Sequence, residues 1–321
     1  MNTYKDLPDW LEAFIYNDLG GKYEPDRNAF QNNLFSDEEK NKRYLGTYFP
    51  RSFAETYCIF CNLFEHAGYR DVLRGKESLA ILTFGCGTGG DLMGLLEAIA
   101  DKLPWVKHLD IVAYDGNFIA VDILKKIVEH QVNTSRFAMA IDYAPVPMDS
   151  PADFELYYRE ITKTFDIIVS LKMVNELYRN NIIMTNPFCA FMASLAPKLS
   201  ADGVMLVLDV PIKVKMSWIA KLLSKGMKDF LKANNDFVAW IPAPCRVYGN
   251  ICNSVCYLKH EFRGKIFTSE PVSYCVLSRC SLADRVFGDL KPNCYVVNDS
   301  NECCNRTTGA KAISAFDINM N

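Results

Sequence analysis

The sequence has no apolar run approaching the ~20 residues that a membrane-spanning helix requires, so no membrane span is expected. Its start, Met1-Asn2-Thr3-Tyr4-Lys5-Asp6, lacks the basic and then apolar blocks of a secretory signal, and the expected location is cytoplasmic. Charge excess is also missing. A formal net charge of -3 and a pI near 5.9 give no global attraction to nucleic acid, although a local basic surface remains open. There are no internal repeats and no low-complexity stretches. Half of the 321 residues are hydrophobic and 23% are charged, which excludes long disorder and leaves enough apolar surface for a full core.

Cysteine, in contrast, is abundant. Twelve thiols without a secretory signal read as reduced residues, core packing or metal ligands rather than as a disulfide framework. Cys58 and Cys61 sit in an apolar helical run and read as packing. Cys245, Cys252 and Cys256 follow a proline-rich turn and could converge on zinc or an iron–sulfur cluster, with buried free thiols as the plainer alternative.

Along the chain, residues 1–75 read as an aromatic, helical N-terminal cap or lid. Strands are predicted at Leu79–Phe84, Asp110–Asp115, Phe137–Ile141, Phe165–Ser170 and Val204–Asp209. Helices are predicted from about Asp91, from Phe118, over Val174–Leu195 and over Met216–Leu231. This alternation predicts parallel βαβ units: an α/β, Rossmann-like, mostly parallel sheet of seven strands. A terminal antiparallel hairpin is predicted from Val255–Phe262 and Val272–Arg279. The core is placed at 76–290 with a Cys-rich insertion at 237–267, and 291–321 as a polar tail.

The chemistry begins at Phe84-Gly85-Cys86-Gly87-Thr88-Gly89-Gly90, between a predicted strand and a helix. Missing Cβ atoms let such a backbone turn sharply and approach a ligand at the carboxyl ends of the strands. These letters fit a dinucleotide site as well as a nucleoside one. Asp115 closes the second strand, where a carboxylate can accept both ribose hydroxyls in either kind of site. A chain with a second nucleotide-binding half would point to an NAD-dependent oxidoreductase; none is visible, and that reading stands third.

Taken in order, the glycine turn, Asp115, Asp142, Phe165–Ser170 and Ala201–Asp209 resemble the class I S-adenosylmethionine-dependent methyltransferases over about residues 79–209. The resemblance implies a transferase using S-adenosylmethionine and releasing S-adenosylhomocysteine, with an unidentified acceptor. It implies cofactor contacts from Phe84, Gly85, Cys86, Gly87, Gly89, Asp91, Asp115, Gly116, Asp142, Tyr143 and Ser170, with Asp142 facing the adenine. Tyr48 and Arg51 lie where the family folds a lid, and Arg51 could pair with the methionine carboxylate. Glu176 and Tyr178 are candidates for acceptor contact or catalysis. The family usually carries an acid two residues before the first glycine. Here that residue is Thr83, which allows compensation by Asp91 or Glu176, or a member without catalysis.

A looser similarity runs through Tyr48–Ala54, Val174–Leu177, Ala243-Pro244-Cys245 and Ser273–Arg279. These segments resemble the methyltransferase-like mitochondrial small-ribosomal-subunit assembly factors and their bacterial relatives. That resemblance implies RNA or ribosome association and an iron–sulfur cluster. It supplies the second reading, a binding factor with little or no catalysis.

Overall fold

The structure is a computed structural model that describes residues 2–25, 36–132, 135–241, 259–268, 270–287 and 312–314. They divide into two compact units. The first comprises Met1–Asn62, Gly75–Met148 and Glu261–Glu270, and the second Leu63–Arg74, Asp149–His260 and Pro271–Asn321.

In the first unit the chain runs through α1 (Asp9–Ala13), a π-helical turn (Phe14–Asp18) and α2 (Glu38–Glu65). It continues with β1 (Ser78–Phe84), α4 (Gly90–Lys102), β2 (His108–Asp115), α5 (Phe118–Val132) and β3 (Ala138–Pro145). The helix α3 (Ala67–Leu73) lies in the second unit. Strands β1, β2 and β3 pair in parallel, with Phe84 opposite Tyr114 and Asp115 opposite Pro145. Leu79, Ile81, Leu82 and Phe84 are all buried, the continuous apolar run expected of a parallel strand covered on both faces.

Helix α4 follows from its own residues. Leu92, Leu95, Leu96 and Ile99 recur at helical spacing and are buried. Its C-terminal end is fastened by Arg136, whose guanidinium donates to the carbonyls of Ile99 (2.9 Å), Leu103 (3.0 Å) and Pro104 (3.1 Å), the first of which also accepts the capping N–H of Leu103. Pro50 lies inside α2 and cannot donate to the carbonyl of Gly46 four residues back. The Tyr16 hydroxyl donates to that orphaned oxygen at 2.6 Å.

In the second unit come α6 (Pro151–Glu160), β4 (Phe165–Leu171), α7 (Val174–Arg179), α8 (Pro187–Leu195), β5 (Leu199–Asp209), β6 (Lys213–Val214), β7 (Ser217–Trp218) and α9 (Ile219–Ala233). β8 (Phe237–Ile241), β10 (Glu270–Arg279), α10 (Cys280–Phe287) and β11 (Ala312–Ser314) complete the order, and β9 (Lys259–Phe262) has residues in each unit. β4 and β5 are parallel, and β10 runs antiparallel to β5 and to β8. The expected α/β, Rossmann-like, mostly parallel sheet with a terminal antiparallel hairpin is what the chain forms.

Several boundaries differ from expectation, each for a local reason. The helix predicted over Val174–Leu195 is two helices, because Asn181 and Asn186 adopt left-handed backbone (φ 62 and 45) and Pro187 starts α8. β10 lies between β5 and β8, antiparallel to both, so Phe237–Ile241 is a sheet strand rather than the start of an insertion; the strand expected over Val255–Phe262 is present among the described residues as β9, which also pairs β10. The helix predicted from Met216 begins at Ile219, after a two-residue hairpin. A capped helix, α6, with Ser150 and Asp153 forming a reciprocal capping box, was not anticipated.

Candidate functional site

The glycine turn leaves β1 through three residues that only glycine holds without strain: Gly85, Gly87 and Gly89 have φ of 81, 50 and 92. The backbone N–H groups of Gly85 and Cys86 donate to the carbonyl of Tyr114 (2.8 and 3.0 Å), which ties the turn to β2. Phe84 stacks on Tyr114 beneath it, ring centroids 4.5 Å apart.

Asp115 stands at the end of β2 with its carboxylate already oriented. Oδ2 accepts the N–H of Gly87 at 2.7 Å and Oδ1 that of Asn117 at 2.8 Å. An ionised carboxylate offers about two acceptor positions per oxygen. Each oxygen of Asp115 therefore keeps capacity for one more donor, which suits a pair of vicinal hydroxyls. Burial raises its pKa, opposed by the N–H groups of Asn117, Gly87 and Gly116.

Two residues before Gly85, the Thr83 side chain meets a carboxylate from the following helix. Thr83 is fully buried and its hydroxyl donates to Asp91 Oδ2. Asp91 lies in the first turn of α4, 2% exposed, and its Oδ1 has no hydrogen-bond partner. Burial pushes its pKa up to about 7, although the Thr83 hydroxyl and the N–H groups of the first turn favour the charge. The Thr88 hydroxyl of the same turn is likewise buried without a partner. Cys86 is buried, and burial carries its thiol well above the ordinary range, so it packs and does not attack.

Helix α2 packs against the turn. The aromatic ring of Tyr44 lies against Gly87, where an added Cβ would stand 3.4 Å from its edge. Tyr44, Tyr48 and Arg51 fall at i, i+4 and i+7 of α2 and so share one face. The Tyr44 and Tyr48 rings are 5.2 Å apart, and the Arg51 guanidinium sits 5.2 Å from the Tyr48 ring and 6.0 Å from that of Phe267. α2 is pinned by an amide chain: Asn117 Nδ2 donates to Asn41 Oδ1 at 3.1 Å, and Asn41 Nδ2 to the carbonyls of Ser36 and Asp37 at 2.9 Å each. Asn117 Oδ1 meanwhile accepts the N–H groups of Ile119 and Ala120, capping α5. Tyr44, Asn41 and Asn117 escaped the sequence reading. The spacing of Tyr44 from Tyr48 and Arg51 was the available signal.

The remaining expected residues are placed as follows. Asp142 is exposed in the middle of β3, opposite Val112. It stands three residues, roughly 10 Å of strand, short of Pro145, which is level with Asp115. Tyr143 is half-buried, with the Lys125 ammonium 5.3 Å from its ring centre. Ser170, Glu176 and Tyr178 belong to the second unit. Ser170 Oγ is buried without a partner, Glu176 is half-buried in the first turn of α7, and the Tyr178 ring carries the Lys215 ammonium at 4.8 Å. Also in that unit, and not foreseen, the Asp209 carboxylate accepts Asn175 N (2.9 Å), Asn175 Nδ2 (2.7 Å) and Val210 N (2.8 Å). Burial pushes its pKa up to about 7.

Cys245, Cys252 and Cys256 lie outside the described residues. Among the described residues no group of three His, Cys, Asp or Glu side chains could hold a metal ion. Cys58 and Cys61 are buried free thiols, in keeping with packing.

No family model matches the chain, and no curated protein matches it. Solved structures do. The plantazolicin methyltransferase BpumL in complex with SAH is 15% identical, with 84% of this chain and 99% of that one covered and a TM-score of 0.43. A Pyrococcus horikoshii protein provisionally named as an RNA methyltransferase is 12% identical, covering 85% and 99%, with a TM-score of 0.38. A Listeria monocytogenes protein provisionally named as a class I S-adenosylmethionine-dependent methyltransferase is 13% identical, covering 72% and 60%, with a TM-score of 0.38. At these identities no residue role passes from them to this chain. No helix among the described residues is long and apolar enough to cross a membrane.

Proposed function

We propose that the chain is an S-adenosylmethionine-dependent methyltransferase. The observation that carries this reading is the pairing of the left-handed glycine turn with an Asp115 carboxylate held by Gly87 and Asn117 and still able to accept a hydroxyl on each oxygen. The residues present fit the cofactor: a backbone cradle without Cβ atoms, a diol acceptor, and the buried unpartnered atoms Asp91 Oδ1 and Thr88 Oγ1.

Bound there, the cofactor supplies an electrophilic methyl group on a sulfonium. The chain's own part is to bind and orient. Asp115 accepts the ribose hydroxyls, and the turn at Gly85–Gly89 approaches the ligand backbone. Asp91, held by Thr83, offers its free oxygen to the ammonium of the methionine portion. Tyr44 and Tyr48 exclude water above the turn, which favours a displacement that depends on positioning more than on acid–base help. Arg51 takes the carboxylate of the same amino-acid portion.

Isothermal titration with S-adenosylhomocysteine tests the reading, and a folded sample that binds none would overturn it. Thermal shift with NAD(P) is expected to be nil.

A further inference from the structure

A separate surface lies wholly in the second unit and takes no part in the cofactor reading. After β5 ends, the chain forms the hairpin β6–β7, whose two turn residues are Lys215 and Met216, both left-handed at φ 46 and 67. Such a turn ordinarily uses Asn-Gly, and a non-glycine residue in this conformation costs about 1–2 kcal/mol. What holds it is Lys215, whose ammonium donates to the Tyr178 carbonyl at 2.6 Å and to Asn181 Oδ1 at 2.5 Å. The hairpin buries Val214 and presents the rest: Met216 is 88% exposed, Trp218 48% and Ile212 39%. Met184, 65% exposed, is three residues from the Asn181 that anchors the turn.

Beside this apolar tip runs a line of positive charge. Helix α9 buries Ile219, Leu223, Met227, Phe230 and Leu231. Its other face carries Lys221, Lys225, Lys228 and Lys232, at i, i+4, i+7 and i+11, which is one stripe. The acid of this helix, Asp229, accepts the Asn186 side-chain amide at 2.8 Å. Lys213 adds a cation at the hairpin, its ammonium 5.3 Å from the Trp218 ring centre. In a chain of net charge -3 this is a local concentration of one sign.

The kind of apolar residue decides the partner. Met184, Ile212 and Met216 have no flat face on which a base could stack, and the Trp218 ring is shared with Lys213. The cations are lysines, point charges without the planar fork that reads nucleic acid geometry. Flexible aliphatics and a tryptophan rimmed by lysine match the boundary between anionic headgroups and acyl chains. We propose that this face docks peripherally on an anionic lipid bilayer, with Met216, Trp218, Ile212 and Met184 entering the headgroup region and the α9 lysines facing the phosphates.

Co-sedimentation of the full chain with phosphatidylcholine vesicles, with and without about one third phosphatidylserine, tests this. Partitioning is expected to be at least about 10-fold stronger on the anionic vesicles and to weaken as salt is raised. Lys213→Glu with Lys225→Glu should remove that preference. Met216→Asn with Trp218→Ser, which leaves the charge unaltered, should reduce binding by about 10-fold at unchanged charge selectivity for what remains. All four positions are exposed, and circular dichroism checks that the variants are folded. Equal partitioning onto both vesicles, or none, overturns the proposal. So does preferential binding of single-stranded RNA that the same lysine variants abolish.

Discussion

The hydroxyl of Thr83 donates to Oδ2 of Asp91, so the carboxylate that the end of β1 lacks is delivered by the first turn of α4. On the proposed reading Asp91 faces the amino end of the cofactor while Asp115 faces its ribose. The two can be separated by ligand. Asp91→Asn should weaken S-adenosylhomocysteine about 10-fold or more, the value of a charge-assisted hydrogen bond, and leave 5′-methylthioadenosine, which has no amino acid portion, nearly unchanged. Parallel loss of both ligands by a folded variant would place the role of Asp91 in the turn itself rather than at the ammonium.

Asp91 and Asp209 each carry a pKa of about 7 in the folded chain, against roughly 4 when unfolded. Between those values the native state retains protons that the unfolded chain releases. Stability is therefore greatest below about pH 4 as far as these groups are concerned, and falls as pH rises toward 7. The loss is on the order of a few kcal/mol per group. Melting temperatures at pH 5 and pH 8 measure it: Asp91→Asn and Asp209→Asn should each shrink the difference seen in the parent chain. A variant whose melting temperature falls by the same amount would locate the titration elsewhere.

Parallel strands announce themselves as unbroken apolar runs bounded by glycine, and β1, β2, β4 and the end of β5 were legible for that reason. So was the glycine turn. What escaped notice depended on pairings distant in sequence. Asn41 reads as a surface residue of a polar helix start until Asn117, in another loop, meets it. Asp209 reads as a strand end until both nitrogens of Asn175 converge on it. Asp142 misled in the opposite direction: an aspartate after Ile141 suggests the end of a strand, but β3 continues to Pro145 because it is an exposed edge that tolerates a charged side chain. The break between α7 and α8 was hidden as well, since asparagine adopts left-handed backbone only where the tertiary structure requires it.

Asp115 makes two hydrogen bonds within the protein before any ligand arrives, so its replacement should affect both the turn and binding. Asp115→Asn keeps the shape but puts an amide where an acceptor oxygen met the N–H of Gly87 or of Asn117. Affinity for S-adenosylhomocysteine and for 5′-methylthioadenosine should fall together, by about 10- to 100-fold, because both carry the ribose. This contrasts with the selective loss expected at Asp91. Titration of the two ligands against both variants checks the assignment, and selective loss at Asp115 would contradict it.

Helix α2 is held against α4 at two glycines one helical turn apart. A Cβ at Gly90 would stand 2.6 Å from the carbonyl oxygen of Phe49, and one at Gly94 would stand 2.3 Å from that of Phe53. Both obstacles are backbone atoms of α2 and cannot swing aside as a side chain could. Gly94→Ala must therefore push α2 outward, while as a helix interior residue alanine itself would favour α4 by about 1 kcal/mol. The clash outweighs that gain, with a net destabilisation of about 1–3 kcal/mol expected from overpacking. Gly90→Ala should add a loss of cofactor affinity, since it displaces the segment that bears Tyr44 and Tyr48 next to the turn. Chemical denaturation and ligand titration of the two variants measure these effects. A Gly94→Ala chain as stable as the parent would show that α2 is not seated on α4 at this distance.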